Sequence, residues 1–112
     1  MNTTTTQKRF IKFSRNWNHK CNCEYFTTIR IASPIYKADV TYGIDIDGVY
    51  AYDVRIVDIK EMKLADLPPW TCLLDTGMTK PETIKMFKEM YPDIDFETKT
   101  IYVILLKQLD VL

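Results

Sequence analysis

Apolar residues alternate with polar ones along several stretches of this chain and fall on a helical stripe in one, and that contrast predicts its elements. Arg9-Phe10-Ile11-Lys12-Phe13 reads as a short strand, with Ile11 and Phe13 on one face and Phe10 and Lys12 on the other. Phe26 to Ile31 is a second strand, rich in β-branched residues. A period of two puts Phe26, Thr28 and Arg30 on one of its faces and Thr27, Ile29 and Ile31 on the other. If Ile29 and Ile31 are buried, Thr28 and Arg30 stand together on the opposite side. Ser33-Pro34 ends the run.

Asp39 to Ile46 and Val49 to Ile59 are two extended runs joined by Asp47-Gly48, the strongest short-range hairpin signal in the chain. Tyr50, Tyr52, Val54 and Ile56 share a face of the second run, opposite Asp53 and Arg55, and the phase slips at Ile56-Val57, which predicts a bulge. Lys60 to Lys63 then leads out of the hairpin. Between the first two strands, Ser14 to Glu24 is polar with Trp17 as its large apolar anchor, so a loop or short helix is expected there. Leu64 to Leu74 contains Pro68-Pro69 and reads as a loop or broken helical turn. Thr79-Lys80-Pro81-Glu82 has the pattern of a capping box, and Ile84, Phe87 and Tyr91, with Met86 and Met90 beside them, form an amphipathic stripe that Pro92 stops. Ile101 to Leu106 is apolar throughout, as expected of a strand covered on both sides or lining a small barrel. These elements predict an α+β fold, a small barrel of about five to six strands with two or three short helices. At 112 residues the chain has room for one domain, expected over residues 8–112, behind a loose threonine-rich tail at 1–7.

Charge sharpens this picture. The formal net charge is zero, yet the segment up to Lys37 holds seven basic residues against one acid, Glu24, and the remainder holds eight against fourteen. The halves therefore carry +6 and −6, and the Thr-Thr-Ile-Arg run lies in the positive one. Hydroxyls and a guanidinium on a rigid strand in a basic half suit an anion or a nucleotide. The equally weighted alternative is a solvated face that balances the acidic half or docks an acidic partner. The longest apolar run is six residues, far short of the ~20 of a membrane-spanning helix, and the polar N-terminus lacks the apolar stretch of a secretory signal. A cytoplasmic protein with no membrane partner is expected. Three cysteines, Cys21, Cys23 and Cys72, are an odd set that fits a reducing compartment. His19-x-Cys21-x-Cys23 is too tightly spaced for the usual paired zinc ligands, so neither a metal nor another cofactor is expected.

The ordered residues also resemble a known family. Phe26-Thr27-Thr28-Ile29-Arg30 is followed by Lys37-Ala38-Asp39-Val40, then by Val54-Arg55-Ile56-Val57-Asp58-Ile59-Lys60 and Leu64-Ala65-Asp66-Leu67. Asp75-Thr76-Gly77-Met78, the helix end Met90-Tyr91-Pro92 and the strand Tyr102-Val103-Ile104-Leu105 complete the set. This order is similar to the ASCH domain, a PUA-like β-barrel, from about Phe10 to Leu109. An F-x-x-N-W-like element (Phe13, Asn16, Trp17) ahead of the strand resembles small stand-alone members, some of them phage-encoded. The resemblance implies handling of RNA or a modified nucleoside in a cleft between barrel and helices. Some small relatives are amidohydrolases that remove the acetyl group from N4-acetylcytidine, using a lysine shortly before the T-I-R arginine, the threonine two before it, and an acid ahead of the last helix. Here Thr28 matches the threonine, the lysine position falls on Tyr25, and the acid position falls on Thr76 with Asp75 beside it. The family's Gly-Asp before the second strand stands as Ala38-Asp39.

These departures set the chemical question. A threonine hydroxyl needs a neighbouring base to act as nucleophile, and Tyr25 cannot supply one near neutral pH. Lys20 could, if the segment to Glu24 folds it back, with Glu24 or Asp75 as the acid group. The expected ligand-binding residues are Thr27, Thr28, Arg30, Lys20, Thr76 and Tyr25; the catalytic set, if the chain is an enzyme, is Thr28, Lys20 and Asp75. Arg30 either contacts a ligand or pairs structurally with Asp39, Asp53 or Asp58. Trp17 and Trp70 are expected mainly as core anchors, with base stacking as the alternative, and Met86 and Met90 as packing. The first expectation is a module that binds RNA or a nucleotide without strong catalysis. The alternatives are the amidohydrolase and a phage-type structural or capsid-associated barrel whose basic half docks an assembly partner.

Overall fold

The computed structural model describes residues 9–109; the expected tail at 1–7 lies outside them. Five strands form a single sheet: β1 (Phe10–Phe13), β2 (Tyr25–Ile31), β3 (Thr41–Ile46), β4 (Val49–Met62) and β5 (Ile101–Gln108). Their order across the sheet is β1-β3-β4-β5-β2, with β1 parallel to β3 and all other pairs antiparallel. The strands at the two ends of this order would be roughly 19 Å apart in a flat sheet, four spacings of about 4.8 Å. Instead the ring of Phe13 on β1 lies 6.3 Å from that of Phe26 on β2. The sheet is therefore curled into a half-barrel whose two edges nearly meet.

The β3–β4 hairpin turns at Asp47 (φ 51°) and Gly48 (φ 83°), both left-handed, as a two-residue turn requires. The predicted slip at Val57 is real: the β4–β5 register passes from Ile56↔Leu106 to Asp58↔Leu105. A second irregularity, between Ile44 and Asp45, leaves Ala51 without an opposite residue. Bulges add local twist, which is what a half-closed barrel needs from its longest strand.

The curl divides the apolar residues into two cores. Ile11, Phe26, Ile44, Val54, Ile56, Ile104 and Leu106 fill the inside of the half-barrel. Ile29, Leu67, Cys72, Phe87 and Ile101 pack the outside of the sheet against two helices, α1 (Pro69–Thr76) and α2 (Lys80–Met90). Strand β5 contributes alternately to both, which is why its sequence is apolar without a break.

Two expectations are corrected here. Residues 69–76 form a helix rather than a broken turn, because Pro69 sits at the first helical position, where proline's missing N–H and fixed φ suit a helix start. Strand β4 continues to Met62, since its last residues pair with Tyr102 and Ile101 instead of leading away. The capping box at Thr79 and Glu82 forms as predicted. Among the described residues no helix is long and apolar enough to cross a membrane.

Candidate functional site

The seam where the half-barrel fails to close is covered by helical elements, and a cavity of about 210 Å³ lies beneath them. The segment between β1 and β2 forms a 3-10 turn, Trp17–Asn22, kinked by left-handed backbone at Asn18 (φ 53°) and His19 (φ 54°). Asparagine and histidine are among the residues that adopt such angles most readily. The Asn16 side chain accepts from the Cys21 amide at 2.8 Å. Asn18 donates to the carbonyls of Leu73 and Leu74, both at 3.1 Å, and so ties the kink to the end of α1. Gly77 (φ 77°) terminates that helix so close to Asn18 that an added Cβ would meet its Oδ1 at 3.3 Å.

This kink folds Lys20 back into the molecule. Its Nζ lies 2.8 Å from Oδ1 of Asp75 on α1, and both side chains are buried, at 6% and 4% exposure. Thr27 donates to the other carboxylate oxygen, Oδ2, at 2.7 Å. Asp75 thus holds one partner from the kink and one from β2. Burial strips water from the Lys20 ammonium and pulls its pKa below 10.5, a shift that Asp75 opposes.

Thr28 and Arg30 point to the inner side of β2, in phase with Phe26, as the period of two predicts. Arg30 donates from Nε to the Thr28 hydroxyl at 2.9 Å. The Arg30 guanidinium stands 4.7 Å from the centre of the Phe13 ring, and the Lys20 ammonium 5.2 Å. Two cations therefore share one aromatic ring. Among the described residues Arg30 forms no salt bridge, so the expected pairing with Asp39, Asp53 or Asp58 does not occur. Asp58 accepts instead from the Ile59 amide.

Lys20, Thr28, Arg30, Asp75 and Thr76 all line the one cavity. The Thr76 hydroxyl donates to the Cys72 carbonyl and meets Thr83 at 3.1 Å, so it also joins α1 to α2. Thr27 reaches Asp75 but lines a separate groove of about 350 Å³ on the outer side of β2. Tyr25 stands outside the cavity, half exposed, with Lys107 5.8 Å from its ring. Glu24 is exposed and supplies a backbone carbonyl to Gln108. Trp17 is half-buried against the inner core and lines the cavity, whereas Trp70, expected as a core anchor, is 65% exposed on α1 beside the outer groove. Trp70, the second residue of α1, borders that groove together with Leu74 and the outer face of the sheet, and the groove is open to solvent. Sequence reasoning missed Phe13 as a wall of the cavity and placed Lys12 only in the general basic half; both come from the opposite edge of the sheet. Met86, which packs on the outer core, and Met90, expected as packing but 56% exposed, also line the cavity. Only the F-x-x-N-W-like spacing hinted at Phe13. Among the described residues there is no group of three metal-ligating side chains, and no buried side-chain nitrogen or oxygen lacks a partner.

The buried titratable groups fix the alkaline behaviour of the fold. Burial raises the thiols of Cys21 and Cys72 above 9.0 and, with Cys21 adding to the effect, the hydroxyl of Tyr52 above 10.0. In each the folded state keeps a proton that the unfolded chain releases, so stability falls as pH rises past 9 for the thiols and past 10 for the tyrosine. Lys20 acts in the opposite sense: below 10.5 the unfolded chain binds its proton more tightly, so that group alone gives stability that increases with pH. The unfolded thiols titrate between about pH 8 and 10, and Asp75 limits the opposing shift of Lys20, so a net loss is expected over that interval. Urea denaturation under reducing conditions is expected to show lower stability at pH 10 than at pH 8, and an unchanged or rising value would contradict these burial assignments.

Compared with known proteins, the chain matches no family model, no curated protein and no solved structure.

Proposed function

We propose that this chain is an ASCH-like module that binds RNA or a nucleotide in the cavity at the seam, with Thr28 and Arg30 as its floor, Lys20 beside them, and Asp75 and Thr76 opposite. The observation that carries this reading is the state of Arg30. Its guanidinium is half-buried at a cavity, oriented by Thr28 and Phe13, and neutralised by no carboxylate among the described residues. A structural arginine in a fold with this many acids would be expected to pair; one held in place and left uncompensated suits an incoming anion. Trp17, half-buried on the cavity wall, supplies aromatic surface for a base.

Trp17 also supplies the assay. In a Trp70→Phe background its emission reports on the cavity during titration with short single-stranded RNA. Binding is expected to weaken with added salt, and Arg30→Met is expected to raise Kd at least about tenfold, the worth of one charge-assisted hydrogen bond. Absence of binding at low ionic strength, or an Arg30→Met variant equal to the parent, would defeat the proposal.

One observation favours a second reading, hydrolysis of an acylated base such as N4-acetylcytidine. The kink brings Lys20 and Asp75 into the cavity that Thr28 lines, and the Thr28 oxygen accepts from Arg30 while its own O–H is left to donate. A lysine whose pKa is lowered by burial is suited to accept that proton. Acetate release that disappears in Thr28→Ala would establish this activity; no release above background would dismiss it and leave the binding reading intact.

A further inference from the structure

We infer that the ligand of this cavity carries a phosphomonoester, so that a nucleotide or a phosphorylated RNA end is recognised in preference to a nucleoside or a hydroxyl-ended chain. This rests on the nucleotide-binding reading above and narrows its ligand class. The chain has no net charge, but the cavity does: Lys12, Lys20 and Arg30 contribute three positive charges and Asp75 one negative, an excess of two. Asp75 is engaged by Lys20, so the excess resides on Arg30 and Lys12. Arg30 is fixed through Nε, which leaves its two terminal nitrogens as a planar fork of the kind that grips phosphate oxygens. Lys12 is exposed on β1, at the other edge of the seam. Arg15, with its guanidinium 3.8 Å from the Trp17 ring centre, places a further cation beside a residue of the cavity wall.

Charge matching selects among phosphates. A phosphodiester link bears one negative charge, whereas a phosphomonoester bears about 1.5 to 2 near neutral pH. A single monoester offsets most of an excess of two, whereas a single diester link offsets half of it. Size points the same way, since about 210 Å³ is below the roughly 300–1,000 Å³ of ordinary ligand pockets and suits one nucleotide rather than a run of several.

The test titrates uridine and cytidine, their 5′- and 3′-monophosphates, inorganic phosphate, and one short RNA prepared with hydroxyl or phosphate ends. Each phosphomonoester is expected to bind at least about tenfold tighter than its dephosphorylated counterpart. Lys12→Ala, at an exposed strand position, is expected to shrink that ratio severalfold with an unchanged circular dichroism spectrum. Equal affinity for hydroxyl-ended and phosphate-ended RNA would overturn the inference and leave RNA binding standing. Inorganic phosphate bound as tightly as the nucleotides would also overturn it, by removing any part for the base. Binding of none of these would sink the inference and the reading beneath it together.

Discussion

Lys20→Met is expected to cost about 3–5 kcal/mol of folding stability, a large part of the roughly 5–15 kcal/mol that holds a domain of this size together. The cause is what remains behind. Asp75 would be left 4% exposed with the Thr27 hydroxyl as its remaining side-chain partner, and a buried carboxylate without its counter-charge is far from the water that would otherwise solvate it. Asp75→Leu is expected to cost a similar amount, because it strands the Lys20 ammonium instead. The double variant Lys20→Met/Asp75→Leu removes both charges and both desolvation costs. It is expected to regain most of the loss, with Thr27, which is half-exposed, turning to water. Urea denaturation of the four proteins gives the coupling directly as a double-mutant cycle. Single variants that each lose less than about 1 kcal/mol would mean that the pair is not sealed from solvent, and the buried half of the site would have to be redrawn.

Ile104→Ala carries the second large effect, about 2–5 kcal/mol. Ile104 is fully buried on β5, and its neighbours across the sheet are Ile59 on β4 and Thr28 on β2. Removing its three outer carbons opens a void in the inner core beside the strand that carries the site. Loss of stability and loss of ligand affinity are therefore expected together, because Thr28 and Arg30 depend on this packing for their position. Ile104→Val, which removes one carbon, is expected to cost only about 0.5–1.5 kcal/mol and to leave affinity near that of the parent. Thermal or urea unfolding measures the first quantity and Trp17 emission the second. An alanine variant within 1 kcal/mol of the parent would show that the two edges of the half-barrel, rather than its middle, hold the inner core.

Local signals determined much of this protein. Period-two alternation placed Thr28 and Arg30 on one face of β2, Asp-Gly fixed the hairpin, the phase slip at Val57 announced the bulge, and Thr79 with Glu82 announced α2. Each of these is decided by the backbone conformations and side-chain directions of a few consecutive residues, so a linear string contains them. Pro68-Pro69 misled because the same residue breaks a helix from within and begins one at its first position; which applies depends on what the next turn packs against. The site belongs to the other class. Lys20 and Asp75 are 55 residues apart, and Phe13 and Arg30 belong to strands at opposite ends of the sheet order. Their meeting depends on how far the sheet curls and on the left-handed kink at Asn18 and His19, and neither leaves a periodic mark in the sequence. The chain by itself therefore determined the elements and the face of β2 that carries the hydroxyl and guanidinium. The approach of the two sheet edges decided which distant residues join them, because burial of charge is a property of the assembled surface and not of any segment within it.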